Sequence, residues 1–574
     1  MQTELDRKLE EAYQIVTSEA GQIKIGEIEY HGHTVPFITN APPSLPYYFA
    51  HFSQKHKDTT FLVDGDERLT FGEVYAAAQK VAAALVDGYG IQKGDRVGIA
   101  MRNAPAWIVT YMATAMAGGV ATLLNGWWQG EELAAGVKDT ETKLVLADPQ
   151  RADRLAGSGV DHGAEIVILD INKPIEQVIA PMVAKGGSAE TQLPAVGGDD
   201  VATILFTSGS TGQSKGAWST HRGVMQGIFN YIAQTLGLLT YATKEGLVPS
   251  VQPCTLLNVP LFHVTAEVPV MLQSFAIGRK LVMMPKWDAE EAMRLIQEEK
   301  CTYFVGVPLM SYEMLVHPNR DKYDLSTCIT FAAGGAPRPP EHVKRLAEGM
   351  GGGLPVLGYG LTETNAVGCG NLNDNYIAKP NSTGPATKPL VDLKIMNDAG
   401  DPLPQGEIGE ICIRSVANFE GYWNNPEATE AAFTKDHYFR SGDLGYLDED
   451  DYLFIVDHKK DIIIRGGENI SCQEVEAAIY AHPDVAECAV FGLPDERLGE
   501  VPGAVVYFHP GTDVNSCDVG DYLRSHIAAF KVPQVIWISE KALPRLGTEK
   551  IDKVTLKTKY RALYEAKGIE AAEM

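Results

Sequence analysis

The run Val201-Ala202-Thr203-Ile204-Leu205-Phe206 passes directly into Thr207-Ser208-Gly209-Ser210-Thr211-Gly212-Gln213-Ser214-Lys215-Gly216. The first part has the length and the apolar, β-branched character of a buried strand. In the second, glycines at 209, 212 and 216 remove side chains, so backbone N–H groups can approach an anion closely. Hydroxyls add donors and Lys215 adds charge. A loop of this make-up at the end of a strand reads as a phosphate cradle. It lacks the GxxxxGKS/T spacing of a Walker A loop. A plain Ser/Gly linker would neither follow a strand so directly nor end in Lys-Gly.

Outward from this loop, strand-length apolar runs alternate with helix-length amphipathic ones. Arg96–Ala100, Val120–Leu124, Lys280–Met284 and Tyr303–Val307 read as strands, and Pro105–Ala117 and Ala289–Glu299 as helices. Such alternation predicts an α/β protein with largely parallel sheets. From about 380 to 455 the strands shorten and turns multiply, as in Asp398-Ala399-Gly400, which predicts a β-rich subdomain, a distorted barrel. Residues 1–45 read as a helical and loop extension. The charge cluster Asp457-His458-Lys459-Lys460-Asp461 marks the boundary between a large N-terminal domain, 1–457, and a small C-terminal one, 461–574.

Composition narrows the possibilities. The chain has 574 residues, of which 45% are hydrophobic and 21% charged, the profile of a multidomain globular protein. A formal net charge of -25 argues against nucleic acid or a basic membrane-surface role, so a polyanionic ligand needs locally concentrated cations. The eight cysteines form no CxxC pair and, without a visible secretory signal, read as reduced, packed thiols of a cytoplasmic protein. Asn103–Gly130 carries no charge, but Pro105 starts a helix and Gly118-Gly119 interrupts the run, so a buried helix and strand are expected in place of a membrane span.

Five ordered segments resemble the adenylate-forming superfamily of acyl-CoA synthetases, aryl-CoA ligases, luciferases and adenylation domains. They are TSGSTGQSKG (207–216), GGAP (334–337), YGLTET (359–364), YFRSGD (438–443) and DIIIRGGENI (461–470). The resemblance covers about residues 45 to 555. It implies two α/β subdomains plus the β-barrel, then a mobile α+β domain that turns about a hinge at 458–460. It implies a carboxylic acid activated with ATP to acyl-AMP and pyrophosphate, then transferred to coenzyme A, with Mg²⁺ as cofactor. It further implies that Thr207, Ser208, Gly209, Ser210, Thr211, Gly212 and Lys215 hold phosphates and Glu363 ligates the metal. Thr362 would bond the α-phosphate region, Tyr359 and Gly360 would flank adenine with Gly334, Gly335 and Ala336, and Asp443 would bind the ribose. Lys550, in the LPRLGTEKI ending, would bridge carboxylate and α-phosphate; Lys553 is a nearby competitor. Lys460 aligns with the hinge residue, and Arg465, Gly466 and Gly467 with the coenzyme A tunnel. The acyl pocket would be lined by His263, Val307, Gly334, Gly358, Asn365, Ala366, Val367 and Gly368, and His263 would gate it. That lining is small and uncharged, which favours a medium- or long-chain fatty or alicyclic acid, with an aryl or cinnamic-type acid as the alternative; Trp127-Trp128 could serve either or merely pack. Loading of a carrier protein is a further alternative, and a homodimer is compatible with the pattern.

Two positions depart from the pattern. Glu549 stands where glycine usually precedes the lysine. His458 stands where the family carries an arginine that contacts ribose, so that contact weakens or Lys459 replaces it. A nucleotide-binding protein without turnover is the rival from another class, and retention of Glu363, Asp443 and Lys550 argues against it.

Overall fold

Two large parallel-stranded sheets make up most of the chain, in a computed structural model that describes all residues except 1–2, 208–213, 247–250, 336–337, 339, 460, 466–467, 513, 547–549 and 568–574, and the side chains at 341 and 469. The first sheet has the order Gly421–Tyr422, Gly216–Thr220, Val201–Phe206, Val120–Leu123, Arg96–Ala100, Leu144–Ala147, Glu165–Ile168. Its last five strands are parallel, and the Gly216–Thr220 strand folds back antiparallel, Gly216 opposite Phe206. The second sheet runs Gly368–Leu372, Leu354–Gly360, Thr330–Gly334, Tyr303–Gly306, Cys254–Leu257, Lys280–Met283, Thr60–Asp64, Glu67–Thr70, parallel except at its two edges.

The helices follow from local rules. Pro105 occupies the first turn of Pro105–Met116, all of whose residues are buried. Its Thr110 and Thr114 hydroxyls bond carbonyls of the preceding turn, which lets them enter the core. Gly118, at φ +73°, ends the apolar stretch before the strand Val120–Leu123. Among the described residues no helix is long and apolar enough to cross a membrane. Asp288 caps Ala289–Glu299 by accepting the Glu291 N–H. One core, with Phe61, Phe71, Trp107, Tyr111 and Phe275, lies between the two sheets, and a second, with Met293, Phe304 and Phe331, backs the second sheet.

The β-rich segment is a four-stranded antiparallel sheet of Asp392–Met396, Gly409–Arg414, Phe439–Leu447 and Leu453–His458. Residues from 463 onward form a five-stranded sheet covered by Cys472–Tyr480, Ser516–Arg524 and Lys553–Lys567, with a core of its own around Val475, Ile479, Val490 and Val506. The whole is mixed α/β with a large N-terminal and a small C-terminal part.

The N-terminal extension differs from the helix and loop expected. After the helix Glu4–Thr17 comes a β-hairpin, Ile25–Tyr30 with His33–Ile38. Its two-residue turn, His31 at φ +47° and Gly32 at φ +79°, matches strand twist, a geometry whose usual Asn-Gly signature is absent here. Asp6 Oδ1 accepts hydrogen bonds from Asn375 Nδ2 and Tyr452 OH, both at 2.7 Å, which ties this extension to the β-rich sheet. All eight cysteines are free thiols and seven are buried.

Candidate active site

The site lies where the second sheet, the β-rich sheet and the C-terminal part converge. Val201–Phe206 and Gly216–Thr220 pair antiparallel, and Thr207 N–H donates to Lys215 O at 3.0 Å beyond their last register pair. Ser208, Gly209, Ser210, Thr211 and Gly212 lie outside the described residues. Lys215 Nζ sits 4.3 Å above the Tyr422 ring, and the Tyr422 hydroxyl donates to Glu363 Oε1 at 2.8 Å. Glu363 is buried, on the short turn Thr362–Thr364 that follows Leu354–Gly360. Burial raises its carboxyl above the usual range, while Tyr422 and the Lys215 charge oppose that shift. Thr362 is half-buried beside it.

Tyr359 does more than present a ring. Its hydroxyl donates to Asp443 Oδ2 at 2.7 Å, and His458 Nδ1 pairs with Asp443 Oδ1. That bond raises the His458 pKa, with burial opposing it. Antiparallel pairing sets Asp443 opposite His458 and so creates the contact. Lys459 does not substitute for the missing arginine, because its Nζ is engaged by Asp398 at 2.6 Å and Glu410 at 3.4 Å.

Lys550 enters from the C-terminal part. A side-chain carbon placed on Gly335 would lie 3.2 Å from Lys550 Cε and 3.4 Å from Nζ. Gly335 has φ +74°, so both its conformation and its missing side chain admit the lysine. Burial pushes the Lys550 ammonium below the ordinary lysine range, and the Asp443 charge acts against this. The chain before Lys550 is held by Glu487, which accepts the Leu543 N–H at 2.6 Å and pairs with Arg545. Lys553 instead forms a 2.7 Å ion pair with Glu476 inside the C-terminal part, which raises its pKa.

His263 Nδ1 accepts the Thr265 N–H at 3.4 Å, so the proton of the neutral ring sits on Nε2. Burial, then the Lys550 charge, pushes its pKa down to about 3. Gly334 and Gly358 pair across adjacent strands, and open space lies where a Gly358 side chain would stand. Val307, Ala366 and Val367 are buried close to this region of the second sheet. Asn365 does not line a pocket: its Nδ2 donates to Ser219 Oγ at 3.1 Å and Ala417 O at 2.8 Å. Gly360 and Gly368 are glycines because added carbons would lie 2.0 Å from Ala366 O and 2.3 Å from Tyr359 O. Arg465 is half-buried on the strand Ile463–Arg465, whereas Ala336, Lys460, Gly466 and Gly467 lie outside the described residues.

A feature not foreseen from the sequence is a crevice at the carboxyl ends of the parallel strands of both sheets, the usual ligand position in α/β folds. Arg102, Arg151 and Lys286 supply cations, Trp127 and Trp287 supply indoles, and Phe262, the residue before His263, also lines it. Asp148 neutralises Arg151 through a 3.1 Å pair and accepts the Arg102 backbone N–H at 3.1 Å, while the Arg102 guanidinium donates to the neutral Asn172 at 2.6 Å. Trp128 packs on Phe206 at 4.9 Å and is structural, so the two tryptophans divide between packing and crevice. No local motif marks these residues, since they follow five separate strands.

Among the described residues no cluster of three or more His, Cys, Asp or Glu side chains could hold a metal by itself. A lone buried carboxylate such as Glu363 suits Mg²⁺, which takes one or two carboxylates together with substrate phosphates.

Residues 49–423 match the model of the AMP-binding enzyme family, and residues 474–550 match that of the AMP-binding enzyme C-terminal domain. A feruloyl-CoA synthase of Amycolatopsis sp is 32% identical over 497 residues, covering 86% of this chain and 95% of its own. A long-chain-fatty-acid–CoA ligase of Bacillus subtilis is 31% identical over 525 residues, covering 86% and 90%. The crystal structure of ATP-bound MatB from Rhodopseudomonas palustris is 29% identical, covers 90% of this chain and 99% of its own, and superposes with TM-score 0.79. The apo structure of the same protein, also 29% identical and covering 90% and 99%, gives 0.68. The chain belongs to the AMP-binding enzyme family.

Proposed function

We propose that this AMP-binding enzyme is an acid–thiol ligase that converts a hydrophobic carboxylic acid to acyl-AMP and then to the acyl thioester of coenzyme A. The observation that carries the reading is the convergence of Lys215, Glu363, Asp443 and Lys550, drawn from four distant segments, around Gly335 and Tyr359.

In the first step a carboxylate oxygen bonds to the α-phosphorus of ATP and pyrophosphate leaves. Two anions must meet, and charge builds on the phosphate. Lys550 bridges the carboxylate and α-phosphate, Thr362 donates to the latter, and the 207–216 loop with Lys215 holds the departing phosphates. Glu363 holds Mg²⁺, which supplies charge neutralisation at those phosphates when bound. Asp443 accepts ribose hydroxyl bonds, positioned by Tyr359 and His458. A better superposition on the ATP-bound than on the apo form of MatB supports an arrangement fit for adenylation.

In the second step the thiolate of coenzyme A attacks the acyl carbonyl and AMP leaves. The crevice with Arg102, Lys286, Trp127 and Trp287 suits a nucleotide bearing phosphates, and its wall includes Phe262, the residue before His263. Rotation about Lys460 would exchange the Lys550 loop for the Arg465–Gly467 segment. The uncharged surroundings of Gly358 and Val307 favour a medium- or long-chain fatty or alicyclic acid. A cinnamic-type acid is the second reading, supported by the feruloyl-CoA synthase relative.

Acid-dependent pyrophosphate release across fatty, alicyclic and aryl acids, with and without coenzyme A, tests this. Release with thioester formation is expected. Release that never yields a thioester of coenzyme A refutes the ligase reading, and ATP binding without release with any acid refutes turnover.

A further inference from the structure

Glu267 is a buried acid to which the preceding roles assign nothing. It is 0% exposed, four residues after His263, and it opens the segment Glu267–Leu272. The Tyr111 hydroxyl, from the buried helix Pro105–Met116, donates to Glu267 Oε1 at 2.7 Å. Among the described residues Glu267 Oε2 has no hydrogen-bond partner. A carboxyl placed wholly inside apolar packing is costly and is normally retained only where its geometry matters.

The same helix grips the chain on the other side of His263. Asn103, just before its first turn, donates from Nδ2 to Leu257 O at 3.2 Å and Val259 O at 2.8 Å, and accepts the Leu261 N–H at 2.9 Å. Residues 257–267 are therefore held at both ends by side chains about two turns apart on one rigid element. Between those grips stand Phe262, which lines the crevice, and His263, whose carbonyl accepts the Glu267 N–H at 3.0 Å. Tyr111 is itself locked by Trp107 stacking at 5.4 Å and by Phe49 at 6.4 Å.

We propose that the Tyr111–Glu267 hydrogen bond, paired with Asn103, positions the His263 segment and thereby sets how tightly the carboxylic acid binds. Glu267 is a positioning residue, acting through His263 and Phe262 without touching substrate. This rests on the reading of His263 as a border of the acid pocket.

The carboxyl also makes the clamp pH-sensitive. Burial pushes the Glu267 pKa up to about 7, with only the Tyr111 bond acting against it. Among the described residues no other charge shifts it: Arg279, beyond the end of the segment, spends its guanidinium on Pro269 and Val270 carbonyls, and Tyr231 of the helix His221–Lys244 donates to Ala366 O. A folded-state pKa above the unfolded one means that the packing around Glu267 is fully stable at acid pH and loses stability as pH rises through about 7, the cost being burial of the ionised carboxylate and not loss of the Tyr111 bond, which favours the ionised form.

The test uses Glu267→Gln, Glu267→Leu and Tyr111→Phe in the full chain. Glu267→Leu and Tyr111→Phe should each raise KM for the acid about ten-fold, with kcat and KM for ATP nearly unchanged. Glu267→Gln, which still accepts the tyrosine hydrogen bond, should keep the low KM and lack the alkaline rise of KM expected in the parent. Hydrogen exchange followed by mass spectrometry should speed up in 257–268 in Glu267→Leu and Tyr111→Phe alone. Should Glu267→Leu fail to fold, Tyr111→Phe decides. An unchanged acid KM with unchanged exchange in 257–268 overturns the proposal, as does an equal rise in KM for ATP. If the parent turns over no acid, the functional reading fails, and local exchange still decides whether Glu267 holds the segment.

Discussion

Lys550→Ala separates catalysis from stability, because Lys553 three residues later supplies an internal control. Lys550 meets the large part of the chain at Gly335, its Nζ 3.4 Å from where a side-chain carbon would stand there. Removing a donor aimed at developing phosphate charge costs about 3–4 kcal/mol of transition-state stabilisation, or 10²- to 10³-fold in rate. Folding should hardly change, since burial disfavours the charged Lys550 in the absence of substrate. Lys553 sits in the opposite situation. Its partner Glu476 is 7% exposed and also accepts the Val490 N–H at 2.7 Å, so Lys553→Ala leaves a buried carboxylate without its cation. The Lys553 side chain is itself 37% exposed, which reduces the loss from that of a fully buried pair to about 1–3 kcal/mol. In a C-terminal part of this size that lowers its melting temperature by several degrees. The assay is paired: acid-dependent pyrophosphate release beside calorimetric melting. Lys550→Ala should lose release while retaining its melting profile and its conversion of supplied acyl-AMP to thioester. Lys553→Ala should melt earlier and still release pyrophosphate in the cold. The reverse pattern refutes the assignment. In the parent enzyme the alkaline limb of pyrophosphate release should fall below the ordinary lysine range, because the ammonium must be charged to bridge two anions.

Other outcomes follow from the same geometry. Gly335→Ala imposes φ +74° on a residue with a side chain, about 1–2 kcal/mol, and sets a methyl 3.2 Å from Lys550 Cε; adenylation should slow more than thioester formation from supplied acyl-AMP. His458→Ala removes a group whose pKa the Asp443 bond raises. The stability from that bond is complete below the ordinary histidine value and is lost as pH rises through the folded-state value, so melting scans should show the parent losing more stability from acid to alkaline pH than the variant. Asn365→Ala should cost about 2–4 kcal/mol in urea unfolding, from two buried hydrogen bonds and φ +48°, while acid preference stays as in the parent.

The elements read most surely in the sequence are those specified by neighbours along the chain. Val201–Phe206 has a strand's apolar run, Pro105 and Gly118 bracket a buried helix and its end, and Asp288 caps Ala289–Glu299. Such signals act over a few residues, so one chain suffices to see them. The hairpin Ile25–Ile38 escaped because His31-Gly32 forms its turn without the common dipeptide. The site motifs were likewise legible as motifs, but their partners were not. That Tyr359 and His458 both grip Asp443, that Tyr422 holds Glu363, and that Glu267 bonds Tyr111 are contacts across 15 to 156 positions. Strand register and helix packing alone bring those groups together. For Lys550 and Lys553 the resemblance of the Lys550-Ile551 ending points to Lys550, but only the tertiary structure shows why the two lysines differ physically: Glu476, on another helix, pairs with Lys553, whereas Lys550 lies against Gly335.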